Sequence, residues 1–429
     1  MRNSGASRLS HALGIAVLVL LTAVAPALAA KTHKPRLAIT VLSGRADLVS
    51  GNSALIAITL PKRADAKHLR ITLGHRNVRS AFAFRSDGHF EALLTHLKLG
   101  KNVLQATLPS GWAARITLVN HPATGPVFSG PQLEPWTCQS TAVDSKCDQP
   151  PTYTYLYMST DPSKSGFQPY DPSNPPSDVA QTTTDQGVTV PFIVRVETGY
   201  MDRDQYQVTA LFQPGKPWSA VAPQPQFDHK LLITHGVSCG VDYQTGTAPA
   251  TTGDPAGDYA LGKGFITMST ALDFSGHNCN LALQAESLVM AKEYVVKTYG
   301  TLRYTIGTGC SGGSLAQQWI ANAYPGVYQG ILPTCSFPDT WSTATQFLDY
   351  HLLLAYFDAP SKWGPGVAWV PNQMADVLGG PDGVANANVS DSAQFHVAVP
   401  TDPCKGTTAA DRYNPCLLYT SPSPRDRQK

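Results

Sequence analysis

Ser311 lies within Gly309-Cys310-Ser311-Gly312-Gly313, a hydroxyl framed by small residues. A G-x-S-x-G pattern between a strand and a helix can lift a serine oxygen out of a sharp turn, as the nucleophile of an acyl transfer. Such a turn has no room for side chains, and Gly309, Gly312 and Gly313 leave that room. The same stretch contains Gly307-Thr308-Gly309-Cys310-Ser311-Gly312, a G-x-G-x-x-G pattern able to cradle a dinucleotide. Local structure does not choose, because both patterns need a strand before and a helix after. The surroundings favour the serine. A dinucleotide site belongs in the first strand–helix–strand unit of its sheet, with an acidic residue about 20 positions on. Here two strands and a helix of the same sheet come first, and Asp339 comes late.

A serine nucleophile also needs oxyanion donors, a base and an acid. The N–H of Gly312, at the start of the following helix, is one donor. The second is expected in the loop after an earlier strand, where His235-Gly236-Val237 follows "KLLIT". Either Gly236 or Val237 would supply it. His235 either lines the pocket or is a structural loop histidine. Cys310 reads as a structural cysteine bracing the turn, since an exported thiol usually ends in a disulfide. The acid and the histidine should follow the serine in that order. Asp339 is the best acid in view, and a carboxylate beyond Cys416 is the stronger expectation. His351, in "FLDYHLLLAYF", and His396, in "FHVAVP", are the only later histidines, and neither is placed like a base. The catalytic histidine is therefore expected beyond the sequence given.

The elements that would hold these groups can be read from periodicity. "KLLITHG", "GFITMSTALD", "LRYTI" and "GILPTC" are short apolar strands. Between them "LALQAESLVMAKEYVVKTYG" places Leu281, Ala285, Leu288, Val289, Val295, Val296 and Tyr299 on one helical face. "SLAQQWIANAY" is a second helix, stopped by Pro325. Strands alternating with helices predict a parallel sheet covered on both faces. Ahead of it, residues 31–121 read as seven short alternating strands, the pattern of a β-sandwich with His75, His89 and His96 on its surface. Residues 122–226 are Pro-rich, with one clear strand in "VPFIVRVETGYM" and a weaker one in "QYQVTALF".

The chain starts with Arg2 and Arg8, an apolar run and Ala27-Leu28-Ala29, as a secretory signal peptide over residues 1–30 would. A secreted or periplasmic protein, off the membrane once cleaved, is expected. The eight cysteines then read as disulfides, with Cys138–Cys147, Cys239–Cys279 and Cys404–Cys416 as local candidates. The near-neutral charge gives no basic stripe for nucleic acid. No C-x-x-C occurs, and no metal or cofactor is expected; Asp382, Asn386, Asn388 and Asp391 read as a polar turn rather than a calcium loop. The last stretch, residues 417–429, looks like a translated sequencing-adaptor read, so the natural chain is expected to continue differently after Cys416.

At "GCSGG" the sequence resembles the tannase and feruloyl esterase family of secreted α/β-hydrolases. In that family the cysteine before the serine is bonded to a cysteine beside the catalytic histidine, and the resemblance implies such a bond for Cys310. A broader resemblance, carried by "RYTIGTGCSGGSLAQQWIANAYPGVYQGILPTCSFPD" and "HLLLAYFD", is to a secreted bacterial domain of unknown function, number 6351. It implies an α/β-hydrolase-like core in residues 227–340 and longer members, with no settled substrate. Residues 341–416 then form a lid or cap, whose Trp341, Phe347, Tyr350, Tyr356, Phe357, Trp363 and Trp369 cover an acyl group or simply pack together. The expected function is serine ester hydrolysis of a small-molecule or polymeric ester. The rivals are a non-catalytic binding or scaffold protein and a dinucleotide oxidoreductase.

Overall fold

The structure is a computed structural model and describes residues 37–387, apart from 63, 87, 131–134, 338–339, 381–382 and 386. The expected signal peptide, the adaptor-like tail, Asp339, Asp382, Asn386, Asn388, Asp391, His396, Cys404 and Cys416 lie outside the described residues.

Residues 38–121 fold into two sheets around one apolar core. In the first, Ala38–Val41, Ser53–Thr59, Phe90–Thr95 and Ala83–Phe84 are neighbours in that order. In the second the order is Val49–Ser50, Ala113–His121, Gly100–Thr107, Arg70–Leu73 and Arg76–Asn77. Ile56 and Leu94 from one sheet meet Ile71, Leu104 and Leu118 from the other. His75, His89 and His96 are exposed. Side chains alternate across a strand, so Leu55 faces away from Ile56. It packs instead with Ala220 and Val296 from later in the chain.

The central sheet has eight strands. They are β1 (Thr152–Met158), β2 (Phe167–Pro169), β3 (Ile193–Met201), β4 (Asp204–Leu211), β5 (Lys230–Thr234), β6 (Ile266–Thr270), β7 (Tyr304–Cys310) and β8 (Gly330–Thr334), in the order β2-β1-β3-β4-β6-β5-β7-β8. The sequence predicts a parallel sheet, and the sheet is mixed: β6, β5, β7 and β8 are parallel, whereas β2, β1, β3 and β4 run antiparallel. The difference comes from the β3–β4 hairpin. Its turn residues Asp202 and Arg203 both have positive φ, 55° and 65°, which matches the twist of a two-residue hairpin. β1, in the Pro-rich region, was not legible as a strand; its first three residues are exposed and only Tyr157 is fully buried.

Helices join the parallel strands: α1 (Pro255–Gly262), α2 (Leu281–Tyr299) and α3 (Gly312–Ala323). α1 is an element the sequence reading lacked. α2 begins at Asn280, whose side chain accepts hydrogen bonds from the N–H groups of Ala282 and Leu283. Its Ala285, Leu288, Ala291, Val295 and Tyr299 pack on the sheet. Its opposite flank meets the sandwich. There the Glu293 carboxylate accepts from Ser50 N (3.0 Å) and Ser50 Oγ (2.6 Å), and Lys297 Nζ donates to Ser50 O (2.7 Å). α2 is thus buried on two sides, which is why its apolar residues spread beyond one stripe. After β8 come α4 (Thr340–Phe357) and α5 (Pro371–Val377). Phe357, Tyr356, Trp369 and Leu378 form a small cluster of their own, with the Phe357 and Trp369 rings edge-on at 5.3 Å.

Candidate active site

β7 delivers Ser311 to the carboxyl edge of the parallel strands, and α3 leaves directly after it. Ser311 has φ 56° and ψ −118°. A serine held in that region costs about 1–3 kcal/mol, a strain that clusters at functional sites. The reversal is permitted by the glycines around it. A Cβ on Gly312 would collide with the Ser238 carbonyl oxygen, one on Gly313 with the Gly236 carbonyl oxygen, and one on Gly309 would sit 2.8 Å from His235 Cβ. Close approach to one loop, residues 235–238, therefore explains all three. The same contacts weigh against the dinucleotide pattern. The space beside Gly307 and Gly309 is filled by Tyr328 and His235, which leaves none for a pyrophosphate.

The 235–238 loop is the segment predicted to carry the second oxyanion donor. Gly236 turns its carbonyl towards Gly313, Val237 is exposed at the rim, and the backbone of Ser238 lies against Gly312. Ser238, at φ 72°, is a neighbour of the elbow that sequence reasoning missed. Gly312 stands at the first position of α3, where helix N–H groups have no intrahelical acceptor and the dipole favours negative charge. The arrangement places unpaired amides and a serine oxygen at one helix start.

Several bonds fix the loop. His235 N donates to Thr308 O (2.9 Å) on β7, and Gly240 N donates to Ser275 O (2.8 Å). The Cys239–Cys279 disulfide closes the next turn. His277 faces Asp204 at 2.9 Å and Asp242 at 3.0 Å, and the Asp204 bond leads in raising its pKa above the usual histidine value. His235 itself is structural. Its ring is buried, with Nδ1 2.7 Å from Asp273 Oδ2 and Nε2 3.0 Å from Tyr328 Oη. Burial pushes the Asp273 carboxyl up, and His235 draws it partly back. Residues that follow β5 and β6 thus meet one that precedes β8. Neither Asp273 nor Tyr328 carries a local sequence signal; their link to His235 exists only once the sheet is formed.

Cys310 is bonded to Cys335, Cα to Cα 4.9 Å. This corrects the bond implied by the tannase resemblance, in which the partner stands beside a histidine. The pairing follows from register: Cys310 lies opposite Thr334 at the ends of β7 and β8, one residue from Cys335. Cys138–Cys147 and Cys239–Cys279 form as expected. The Cys310–Cys335 bond spans 25 residues, and chain entropy gives such a loop about 3.5 kcal/mol. Replacing both cysteines by serine is expected to lower the unfolding free energy in urea by about that amount; an unchanged midpoint would show that the bond is not formed.

The remaining predicted residues are not gathered here. His351 lies on α4, while Asp339 and His396 lie outside the described residues. Among the described residues Ser311 Oγ makes no hydrogen bond, and no group of three His, Cys, Asp or Glu could hold a metal.

The comparisons with known proteins follow this geometry. No curated protein matches the chain in sequence. Among solved structures it is similar to feruloyl esterase B from Aspergillus oryzae, at 18% identity and TM-score 0.27, over 47% of this chain and 36% of that one. It is also similar to the tannin acyl hydrolase from Aspergillus niger, at 15% identity and TM-score 0.27, over 50% and 37% of the two chains. A PNB esterase aligns at 15% identity and TM-score 0.22, over 46% and 39%. The chain thus spans well under half the length of each of these structures. A family model matches residues 39–423, nearly all of the chain, and the protein accordingly belongs to the tannase-like family of unknown function (DUF6351).

Proposed function

We propose that the protein is a serine hydrolase of carboxylic esters, exported from the cell, with Ser311 as its nucleophile. The observation that carries this reading is the backbone of Ser311: a strained, non-glycine turn between a parallel strand and a helix start. Membership of a tannase-like family agrees with it. So do three disulfides among the described residues.

In this mechanism Ser311 Oγ attacks the ester carbonyl while a histidine takes its proton. The negative oxygen that forms is held by the Gly312 N–H and by an amide of the 236–238 loop, with Gly236 and Val237 as the candidates. The histidine returns the proton to the departing alcohol. Water then repeats the sequence on the acyl-enzyme and frees the acid. The base belongs outside the described residues, and Asp339 is the candidate carboxylate to orient it. No cofactor is needed. The substrate is an ester, small or polymeric.

The test is turnover of a short-chain aryl ester such as 4-nitrophenyl acetate by the full-length natural protein. Ser311→Ala is expected to lower kcat by at least ~10³-fold. Equal rates for the two proteins would remove Ser311 from the chemistry. Absence of turnover in both would favour a non-catalytic scaffold of the same fold.

A further inference from the structure

The sandwich and the central sheet meet along α2, and that seam forms an open cavity of about 940 Å³. It lies at the far end of β7 from Ser311. Thr305, near the start of β7, lines it, and six residues of strand at about 3.3 Å each put the serine roughly 20 Å away. The floor is one face of α2, where Val289, Lys292, Glu293 and Val296 recur at helical spacing. The sandwich loop around Leu42 and Arg45 forms one wall, and the chain following α3, from Tyr324 to Val327, forms the other.

The charges in this cavity do not balance. Glu293 is engaged by Ser50 and Lys297, and Asp47 is paired with Arg45 at 2.7 Å. Lys292 has no carboxylate partner among the described residues. Its Nζ donates only to the backbone oxygens of Gly326 (3.1 Å) and Val327 (2.7 Å), although an ammonium carries three donors. Burial alone pulls its pKa down to about 8, as expected for a cation lacking a counter-charge. Arg303, also on the lining, lies over the Tyr304 ring and makes no ion pair among the described residues. Beside these two cations Phe128 and Tyr324 stack with centroids 5.6 Å apart and planes 5° from parallel. The cavity thus combines two uncompensated cations, a flat aromatic wall and the apolar Val289, Val296 and Leu302. Its volume suits a small organic ligand.

We propose that this seam cavity binds a small aromatic carboxylate, its anionic end on Lys292 and Arg303 and its ring against the Phe128–Tyr324 pair. The site is separate from Ser311, and the proposal does not depend on any reaction there.

Calorimetric titration of the full chain at pH 7 with benzoate, benzamide and inorganic phosphate tests it. Benzoate is expected to bind at least about tenfold more tightly than either of the others, because only it offers both charge and ring. Lys292→Met should weaken benzoate binding about tenfold or more, and Arg303→Gln should weaken it measurably. Ser311→Ala should leave it unchanged. Raising the pH from 7 to 9 should cost about tenfold, since only the protonated Lys292 competes for the anion. Benzamide or phosphate binding as tightly as benzoate would overturn the proposal. So would unchanged benzoate affinity in Lys292→Met, or a loss of benzoate binding in Ser311→Ala. If Lys292→Met fails to fold, the exposed Arg303→Gln variant and the pH series decide on the same terms.

Discussion

A fluorophosphonate probe is expected to modify the full-length natural protein at one residue, Ser311, and to leave its Ser311→Ala variant unmodified. A serine in an ordinary helix start turns its hydroxyl back to cap the helix. Ser311 makes no such capping bond, because φ 56° and ψ −118° carry its side chain away from the helix N–H groups. The hydroxyl is left for another reactant. The phosphorus oxygen of the probe resembles the oxyanion of acyl transfer, so it draws on the same amides at Gly312 and the 236–238 loop. Intact mass and peptide mapping read the result. The labelling rate of Ser311→Ala should fall by more than ~10³-fold. Label on a different serine would relocate the site, and no label on the unaltered full-length protein would support the scaffold reading.

Gly312→Ala is expected to damage both stability and ester turnover. The new Cβ meets the carbonyl oxygen, carbon and nitrogen of Ser238, all backbone atoms. That backbone has little freedom to retreat, since Cys239–Cys279 and the Gly240–Ser275 hydrogen bond hold it from behind. Elbow and loop must separate. The stability cost of such overpacking is about 1–3 kcal/mol. Ester turnover should fall about 100-fold or more, because the amides no longer converge on one oxygen. Gly330→Ala, on β8, is the control: its Cβ meets nothing within 4 Å, and the change should stay within about 0.5 kcal/mol. Thermal melts and kcat for both variants decide the matter. Full turnover by Gly312→Ala would separate the 235–238 loop from the site.

The elbow was legible because its requirement is local. Gly309, Gly312 and Gly313 are tolerated only where something approaches closely, and a strand and a helix flank them in sequence. β5, β6, β7, β8, α2 and α3 could be placed for the same reason, since their periodicity is written within each segment. What could not be read depends on partners far along the chain. Tyr328 lies 93 residues from His235, and the two touch only because β5, β7 and β8 are neighbours in that order. Cys335 was visible as a cysteine, but its bond to Cys310 needs the β7–β8 register. The antiparallel half of the sheet was obscured by β1, which is recognisable mainly by its neighbour β3. Ser238 escaped because its importance lies in where its backbone runs rather than in its side chain.

One consequence follows from α2 lying between two layers. Cutting the chain between them would bare Val296 to water and strip the Glu293 carboxylate of Ser50, its hydrogen-bonding partner across the seam. Neither layer can therefore melt and leave the other untouched. Heat should break them together, in one cooperative transition, and the N-terminal layer acts as ballast that the half carrying Ser311 cannot shed.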